Sequence, residues 1–96
     1  NSCRLGAIAL SRITDLKSRC ERIRDARGLG LTLAVELEPS AVDDAEQILY
    51  NCLKRGLSFK VSSGNVLTLT PPLVITEQEL HLALDILEAE VLKQLS

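Results

Sequence analysis

The stretch that decides the fold is LGLTLAVEL, residues 29–37. Large apolar side chains occupy its odd-numbered positions, and small or polar ones occupy its even-numbered positions. This strict period of two predicts a β-strand. One face of that strand carries leucine and valine, whereas the other carries Gly30, Thr32, Ala34 and Glu36. We expect the apolar face to be buried, and the small residues opposite it allow a second element to approach closely.

Three amphipathic helices are predicted around this strand, because apolar residues recur there at intervals of three or four positions. The first two cover residues 4–17 and 41–55, and the third begins after Thr76, with Leu80, Leu84, Leu87, Val91 and Leu95 on its buried face. Gly56 is expected to end the second helix in a left-handed conformation.

Two of these helices are preceded by capping patterns. Ser40 followed by Asp43 forms an acidic variant of the capping box, and Thr76 followed by Glu79 forms the standard one. We expect the cap at Thr76 to contribute about 1 kcal/mol to helix stability.

A hairpin is predicted between the second and third helices. Residues 57–61 and 66–70 alternate in polarity, and the four residues between them, Ser-Ser-Gly-Asn, are typical of a turn. The full order is a leading helix followed by β-α-β-β-α. It predicts an α+β fold, with a small three-stranded, mainly antiparallel sheet and helices packed on one face. Residues 1–96 suffice for a single domain with one core.

Composition argues against several kinds of partner. The formal net charge is -2, and the chain has one Phe, one Tyr and no Trp. Nucleic-acid-binding faces are basic and use aromatic stacking, so no nucleic-acid partner is expected. No apolar run approaches the length of a membrane span, so no membrane partner is expected. Three cysteines without a CxxC pair, and a single histidine, favour free thiols in the cytoplasm over disulfides or zinc.

The residues themselves offer little catalytic chemistry. The only histidine, His81, is expected on a helix surface without a nucleophile beside it. The carboxylate clusters at 43–46 and 77–79 fall in first helical turns, where they suit the helix dipole. Gly28 lacks the strand–glycine–helix context of a dinucleotide site. Asp25 and Arg27 are expected to form a surface ion pair. No catalytic or metal-ligating residue is predicted.

Two blocks of the chain resemble a known family. Residues 23–37, IRDARGLGLTLAVEL, resemble the I-x-D-V-R-G-x-G-L-M-x-x-x-E-L stretch of class III, fold-type I, aminotransferases. Residues 64–80, GNVLTLTPPLVITEQEL, are similar to the family's N-V-L-R-L-x-P-P-L-T-I-T-E-x-E-I stretch. The helix that follows, ALDILE at 83–88, resembles the family's A-L-x-I-L-E.

The resemblance implies the C-terminal small domain of a longer chain, and the absence of any methionine agrees with that expectation. Such enzymes move an amino group from an amino donor to a 2-oxo acid. They use pyridoxal 5'-phosphate as electron sink, held by a lysine of the large domain. The resemblance implies a homodimeric full-length enzyme, with the large cofactor-binding domain as this segment's partner. Residues 1–96 alone are expected to bind no cofactor and to be inactive.

Thr68 is the residue to which the resemblance assigns a place near the substrate. Many members of the family carry there an arginine that grips the substrate carboxylate, for which a guanidinium is suited by its bidentate fork. A threonine offers one hydroxyl and no charge. The resemblance therefore implies either a donor without a carboxylate at that point, such as an ω-amine or polyamine, or a different arginine upstream. A role for Thr68 as an ordinary strand residue stays open.

Two readings other than an enzyme segment remain. Small α+β sandwiches also occur as free-standing metabolite-binding or regulatory modules, and as purely structural interaction domains. A start codon directly before Asn1 would favour the first of these. A reading frame that continues upstream into a large domain with a cofactor lysine would favour the enzyme.

Overall fold

The computed structural model describes residues 2–96, so Asn1 of the expected domain lies outside the described residues. Within this range there are three helices and four strands. Their order is α1 (Ser2–Ser18), β1 (Ile23–Leu29), β2 (Thr32–Leu37), α2 (Val42–Lys54), β3 (Lys60–Ser62), β4 (Val66–Leu69) and α3 (Glu77–Leu95).

The strands form one sheet in the order β1-β2-β4-β3, and every neighbouring pair is antiparallel. The predicted α+β class, the leading helix and the hairpin between α2 and α3 are confirmed. The predicted number of strands is wrong, because the sheet has four rather than three. The additional strand is β1, whose polar sequence does not show the alternation of a half-buried strand.

The stretch at residues 29–37 is divided by a turn that its regular alternation conceals. Leu29 pairs directly with Thr32, so Gly30 and Leu31 form a two-residue hairpin loop. Gly30 has φ 60°, and a glycine with positive φ at the first loop position suits the twist of a tight hairpin. Leu31 stays buried beneath the turn, whereas Leu29 is 87% exposed on the opposite face. The expectation that Leu29 shares the buried face is therefore wrong.

All three helices contribute to one apolar core against one face of the sheet, as predicted. We call this covered side the inner face. Its residues from β2 and β4 are Leu33, Val35, Leu37, Leu67 and Leu69, none of which is more than 3% exposed. From α3 the buried stripe is the predicted one: Leu80, Leu84, Leu87, Val91 and Leu95.

The two predicted helix caps differ in outcome. Thr76 accepts a hydrogen bond from the Glu79 backbone N–H, and the Glu79 carboxylate accepts one from the Thr76 N–H, so this capping box is confirmed. The predicted box at Ser40 is wrong. The N-cap of α2 is Ala41, without a side-chain hydrogen bond, because the Ser40 hydroxyl donates instead to Glu38 at 3.1 Å.

A buried carboxylate lies where α2 approaches α3. Glu90 is only 6% exposed, and its Oε2 accepts a hydrogen bond from Arg55 Nη1 at 3.0 Å. Its Oε1 is buried without a hydrogen-bond partner among the described residues. Burial of a charge this deep is costly unless it is paired. Arg55 therefore has a stabilising role at this contact.

Candidate functional site

The side of the sheet away from the helices carries no helix of residues 2–96, and we call it the outer face. Residues directly opposite one another in an antiparallel register point to the same face. The outer face therefore contains alternate residues of all four strands, namely Asp25, Arg27, Leu29, Thr32, Ala34, Glu36, Lys60, Ser62, Val66 and Thr68.

Thr68 lies at the centre of this face. The register pairs it with Ala34 of β2 on one side and with Lys60 of β3 on the other, and Arg27 lies beyond Ala34. One row across the sheet thus reads Arg27, Ala34, Thr68, Lys60, with a cation at each end and small side chains between. Thr68 is half-buried and points away from its apolar neighbours in β4, as the period of two predicts. Its contact with a substrate remains a prediction.

The cation at one end of this row is already neutralised. Arg27 Nη1 donates to Asp25 Oδ2 at 2.9 Å and to Glu36 Oε1 at 3.0 Å. The hydrogen bond from Arg27 lowers the pKa of the Asp25 carboxyl, and the same contacts raise the pKa of Arg27. The expected Asp25–Arg27 ion pair is therefore present, with a second carboxylate beside it. These groups are about half exposed, so solvent screens the pairing.

The cation at the other end of the row is free. Lys60 is exposed and has no ion pair or hydrogen bond among residues 2–96. It lines a shallow groove together with Ser58, Phe59, Thr68 and Thr70. Sequence alone does not single out Lys60. Its alternation with apolar residues places it on the polar side of β3, but its position opposite Thr68 depends on the hairpin register.

The turn from Ser62 to Asn65 sets that register, and Asn65 also connects the turn to β2. The Asn65 side-chain amide donates to the carbonyl oxygen of Leu37 at 2.8 Å, and the Leu37 N–H donates to the Asn65 carbonyl oxygen at 2.8 Å. Ser63 and Gly64 both have positive φ, so the loop turns tightly before Asn65. This two-way contact holds the β3–β4 hairpin against the end of β2. In the sequence, the Gly64-Asn65 pair of the turn is the only indication of this contact.

The thiols and the histidine form no reactive pair. Cys20 and Cys52 are buried and Cys3 is exposed, and all three are free. Burial, with Glu90 nearby, raises the pKa of the Cys52 thiol to about 11, so it is not a thiolate near neutral pH. His81 lies on the surface of α3, as expected; its side chain is 40% exposed, and its Nδ1 lies 3.1 Å from Arg12 Nη1.

The carboxylate clusters at the helix starts have structural partners. In the α2 cluster, Asp44 accepts hydrogen bonds from Gln94 and from Arg22, both at 2.8 Å. These bonds lower the pKa of the Asp44 carboxyl, with Gln94 as the larger cause. In the α3 cluster, Glu79 belongs to the capping box. Neither cluster holds two carboxylates in the contrasting environments that acid–base catalysis requires.

The described residues do not fit a cofactor or metal site of their own. The four lysines, Lys17, Lys54, Lys60 and Lys93, are all exposed, whereas a lysine that forms a Schiff base is normally activated by desolvation. Within residues 2–96 there is also no group of three metal-ligating side chains. None of the helices in this range is long and apolar enough to cross a membrane.

The sequence matches one protein family over most of its length. The family model described as "Aminotransferase class-III" matches residues 1–91. The (R)-1-hydroxy-2-aminoethylphosphonate ammonia-lyase of Vibrio splendidus is 43% identical over 93 residues, which are 91% of this chain and 19% of that protein. The acetylornithine aminotransferase of Methanothermobacter thermautotrophicus is 31% identical over 91 residues, 90% of this chain and 21% of that protein. The chain thus spans about a fifth of the length of these relatives.

Solved structures with the same fold belong to larger proteins as well. An ornithine aminotransferase from Plasmodium yoelii superposes with a TM-score of 0.89 at 26% identity, covering 98% of this chain and 25% of that one. The acetylornithine aminotransferase from Elizabethkingia anophelis gives a TM-score of 0.85 at 32% identity, covering 96% of this chain and 24% of that one.

Proposed function

The chain belongs to the class III aminotransferase family, and from that premise we propose that residues 1–96 are the C-terminal small domain of a longer pyridoxal-phosphate-dependent enzyme. That enzyme moves an amino group from an amino donor to a 2-oxo acid. The cofactor, when bound, supplies the electron sink for the bonds at the amine-bearing carbon. The lysine that holds it belongs to the large domain, so this segment contributes no group to the cofactor and is inactive alone.

This proposal rests on the difference between the covered inner face and the uncovered outer face of the sheet. The inner face is closed by the chain's own helices, whereas the outer face carries alternate residues of both blocks by which the family is recognised and has no helix of residues 2–96 over it. Leu29 on that face is 87% exposed, and Leu73 and Val74, in the segment between β4 and α3, are 80% and 88% exposed. Exposed apolar groups of this size are typical of a surface that packs against another domain. We assign that role to the large domain of the same chain.

The contribution of this segment to the reaction is positional. With the outer face covered, water is excluded from the neighbourhood of Thr68, and polar contacts there become stronger in the lower dielectric. The Asn65 bridge keeps the β3–β4 hairpin in place while this surface closes the substrate site. The enzyme is a cytoplasmic homodimer, as the family resemblance implies.

Thr68 restricts the choice of amino donor because it lacks the positive charge of an arginine. A single hydroxyl does not replace the bidentate charge of an arginine, so a carboxylate on the reacting carbon, of donor or acceptor, is held more weakly at this point. We therefore infer a donor that presents a primary amine on a carbon without a carboxylate, such as an ω-amine or polyamine. The name of the Vibrio splendidus relative supports this inference, because an aminoethylphosphonate carries its amine on such a carbon.

A donor screen on the full-length enzyme tests this function. The expected result is amino transfer to a 2-oxo acid from ω-amines, with α-amino acids poorer donors. A strong preference for α-amino acids would show that an upstream arginine binds the carboxylate, and would overturn the assignment of Thr68. The 96-residue chain mixed with pyridoxal phosphate should show no absorbance band of a cofactor–lysine adduct, and a stable band would contradict the placement of the cofactor.

A second function is favoured by one specific observation. The 43% identical relative is an ammonia-lyase rather than an aminotransferase, so release of ammonia is the alternative reaction for the full-length enzyme. The two are separated by omission of the 2-oxo acid. Transamination stops after one half-reaction without an acceptor, whereas an ammonia-lyase continues to release ammonia from the amine.

A further inference from the structure

The outer face contains one cation whose charge nothing in residues 2–96 neutralises. We propose that Lys60, together with the hydroxyl groups of Ser58, Thr68 and Thr70, binds a tetrahedral oxyanion, the phosphonate or phosphate group of the amino donor. This inference rests on the proposed function, since it takes the outer face as part of the substrate site. It adds the chemical class of the anionic group that the donor has at a distance from its amine.

The strand register gives the positions of Lys60 and Thr68, and the groove that they line gives those of Ser58 and Thr70. Lys60 pairs directly with Thr68, so both side chains rise from the outer face on neighbouring strands. Ser58 and Thr70 lie two residues from Lys60 and Thr68 respectively, and line the same groove. Three hydroxyl groups and one ammonium group thus border a single depression at the β3–β4 edge of the sheet.

The charge distribution selects this end of the row over the other. Arg27 donates to Asp25 and Glu36, so the two carboxylates of the outer face are already paired with it. Lys60 has no such partner among the described residues. Net positive charge on the outer face is therefore concentrated at Lys60, which is where an anionic ligand is attracted.

The chemistry of the groove fits a tetrahedral anion better than a carboxylate. An arginine presents a planar fork that matches the two oxygens of a carboxylate, whereas a lysine is a compact point charge with three donors. Each hydroxyl group can donate one hydrogen bond. Together these donors suit a group with three terminal oxygens and a double negative charge. Covering of the groove by a second domain would strengthen each contact, because the dielectric falls.

Kinetics on the full-length holoenzyme test the proposal. The variant Lys60→Met removes the charge while retaining the aliphatic stem, Lys60→Arg restores the charge, and Lys54→Met is the matched control on an exposed lysine of α2. The donors are 2-aminoethylphosphonate, O-phosphoethanolamine and propylamine, which has a methyl group in place of the anion. The first two distinguish a phosphonate source of the anion from a phosphate source.

We expect Lys60→Met to raise KM for at least one anionic donor by about tenfold or more, the loss typical of a charge-assisted hydrogen bond. The kcat for that donor and the kinetics with propylamine should stay unchanged. Lys60→Arg should recover part of the loss, and Lys54→Met should behave as the unmodified enzyme. Equal kinetics of Lys60→Met and the unmodified enzyme on both anionic donors would overturn the proposal.

A binding measurement separates this proposal from the proposed function. A calorimetric titration of methylphosphonate into the holoenzyme should give an affinity that Lys60→Met weakens and Lys54→Met does not. If this Lys60-dependent binding is found in an enzyme that turns over none of the amines, the anion site stands and the proposed function fails. If amines are turned over but methylphosphonate binds equally to both variants, the anion site fails and the proposed function stands.

Discussion

The inner and outer faces of the sheet are made from alternate residues of the same strands, yet they differ in almost every physical property. On the inner face Leu67 is fully buried, and one position along the chain Thr68 is half-buried on the outer face. The inner face is complete within this chain, because α1, α2 and α3 cover it. The outer face is covered by no helix of residues 2–96, and its exposed apolar and polar groups are the surface that we propose packs against the large domain. Stability should therefore depend on the inner face, and specificity on the outer face.

The largest expected difference in stability between the two faces is between two neighbouring alanine variants. Leu67→Ala should lower the free energy of unfolding of the chain by about 3 kcal/mol, because it opens a cavity in a closed core. Thr68→Ala, one residue along, should cost less than about 1 kcal/mol, the scale of strand preference. Urea unfolding of both variants gives the two values. Equal losses would show that the outer face is as tightly packed as the inner one.

The next largest effect concerns two arginines on opposite sides of the sheet. Arg55→Met leaves the buried Glu90 carboxylate without its hydrogen-bond donor, and should cost about 1–2 kcal/mol of unfolding free energy. Arg27→Met removes exposed ion pairs, and should leave the urea midpoint of the isolated chain unchanged. A destabilisation that is greater for Arg27→Met than for Arg55→Met would reverse the assignment of structural and interface charges.

A smaller difference in stability is expected between variants at the starts of α2 and α3. Thr76→Ala should cost about 1 kcal/mol, because the Glu79 N–H loses its acceptor. Ser40→Ala should change stability little, because Ser40 does not cap α2. Thermal unfolding of the two variants is the measurement, and a loss at Ser40 as large as that at Thr76 would mean that the sequence-based cap is correct after all.

The smallest effect is the acid dependence of stability. Hydrogen bonds lower the pKa of Asp44 on the helix side and of Asp25 on the outer face below the ordinary value of 3.8. The unfolded chain then binds more protons, so this stabilisation is present above the ordinary pKa and is lost as the pH falls through the folded values. Urea midpoints measured from about pH 5 to about pH 3 should decline. Asp44→Asn should flatten that decline, and an unchanged decline would exclude Asp44 as a cause.

Much of the inner face could be predicted from the sequence, because periodicity reports burial directly. The stripe of α3 and its cap at Thr76 are present as predicted. The turn at Gly30 and Leu31 was not predictable from alternation, since Leu31 remains buried on the inside of the turn and preserves the period of two. The strand β1 was missed because pairing with β2, rather than its own polar sequence, makes it a strand.

The outer face was less accessible to sequence reasoning, because it depends on which strands are neighbours. Alternation predicts that Thr68 points away from the core, and the strand register bears this out. It does not predict that Lys60 lies opposite, since a change of one residue in the hairpin loop would pair a different residue with Thr68. The contact of Asn65 with Leu37, which holds the hairpin beside β2, joins residues distant in sequence.

The substitution Thr68→Arg in the full-length enzyme tests the central claim most directly, because it places the family's carboxylate-binding group back at the centre of the outer face. The ratio of kcat/KM for an α-amino acid to kcat/KM for an ω-amine should rise by about tenfold or more, as a charge-assisted hydrogen bond to the carboxylate forms. A folded Thr68→Arg enzyme whose ratio equals that of the unmodified enzyme would show that the outer face around Thr68 does not meet the substrate.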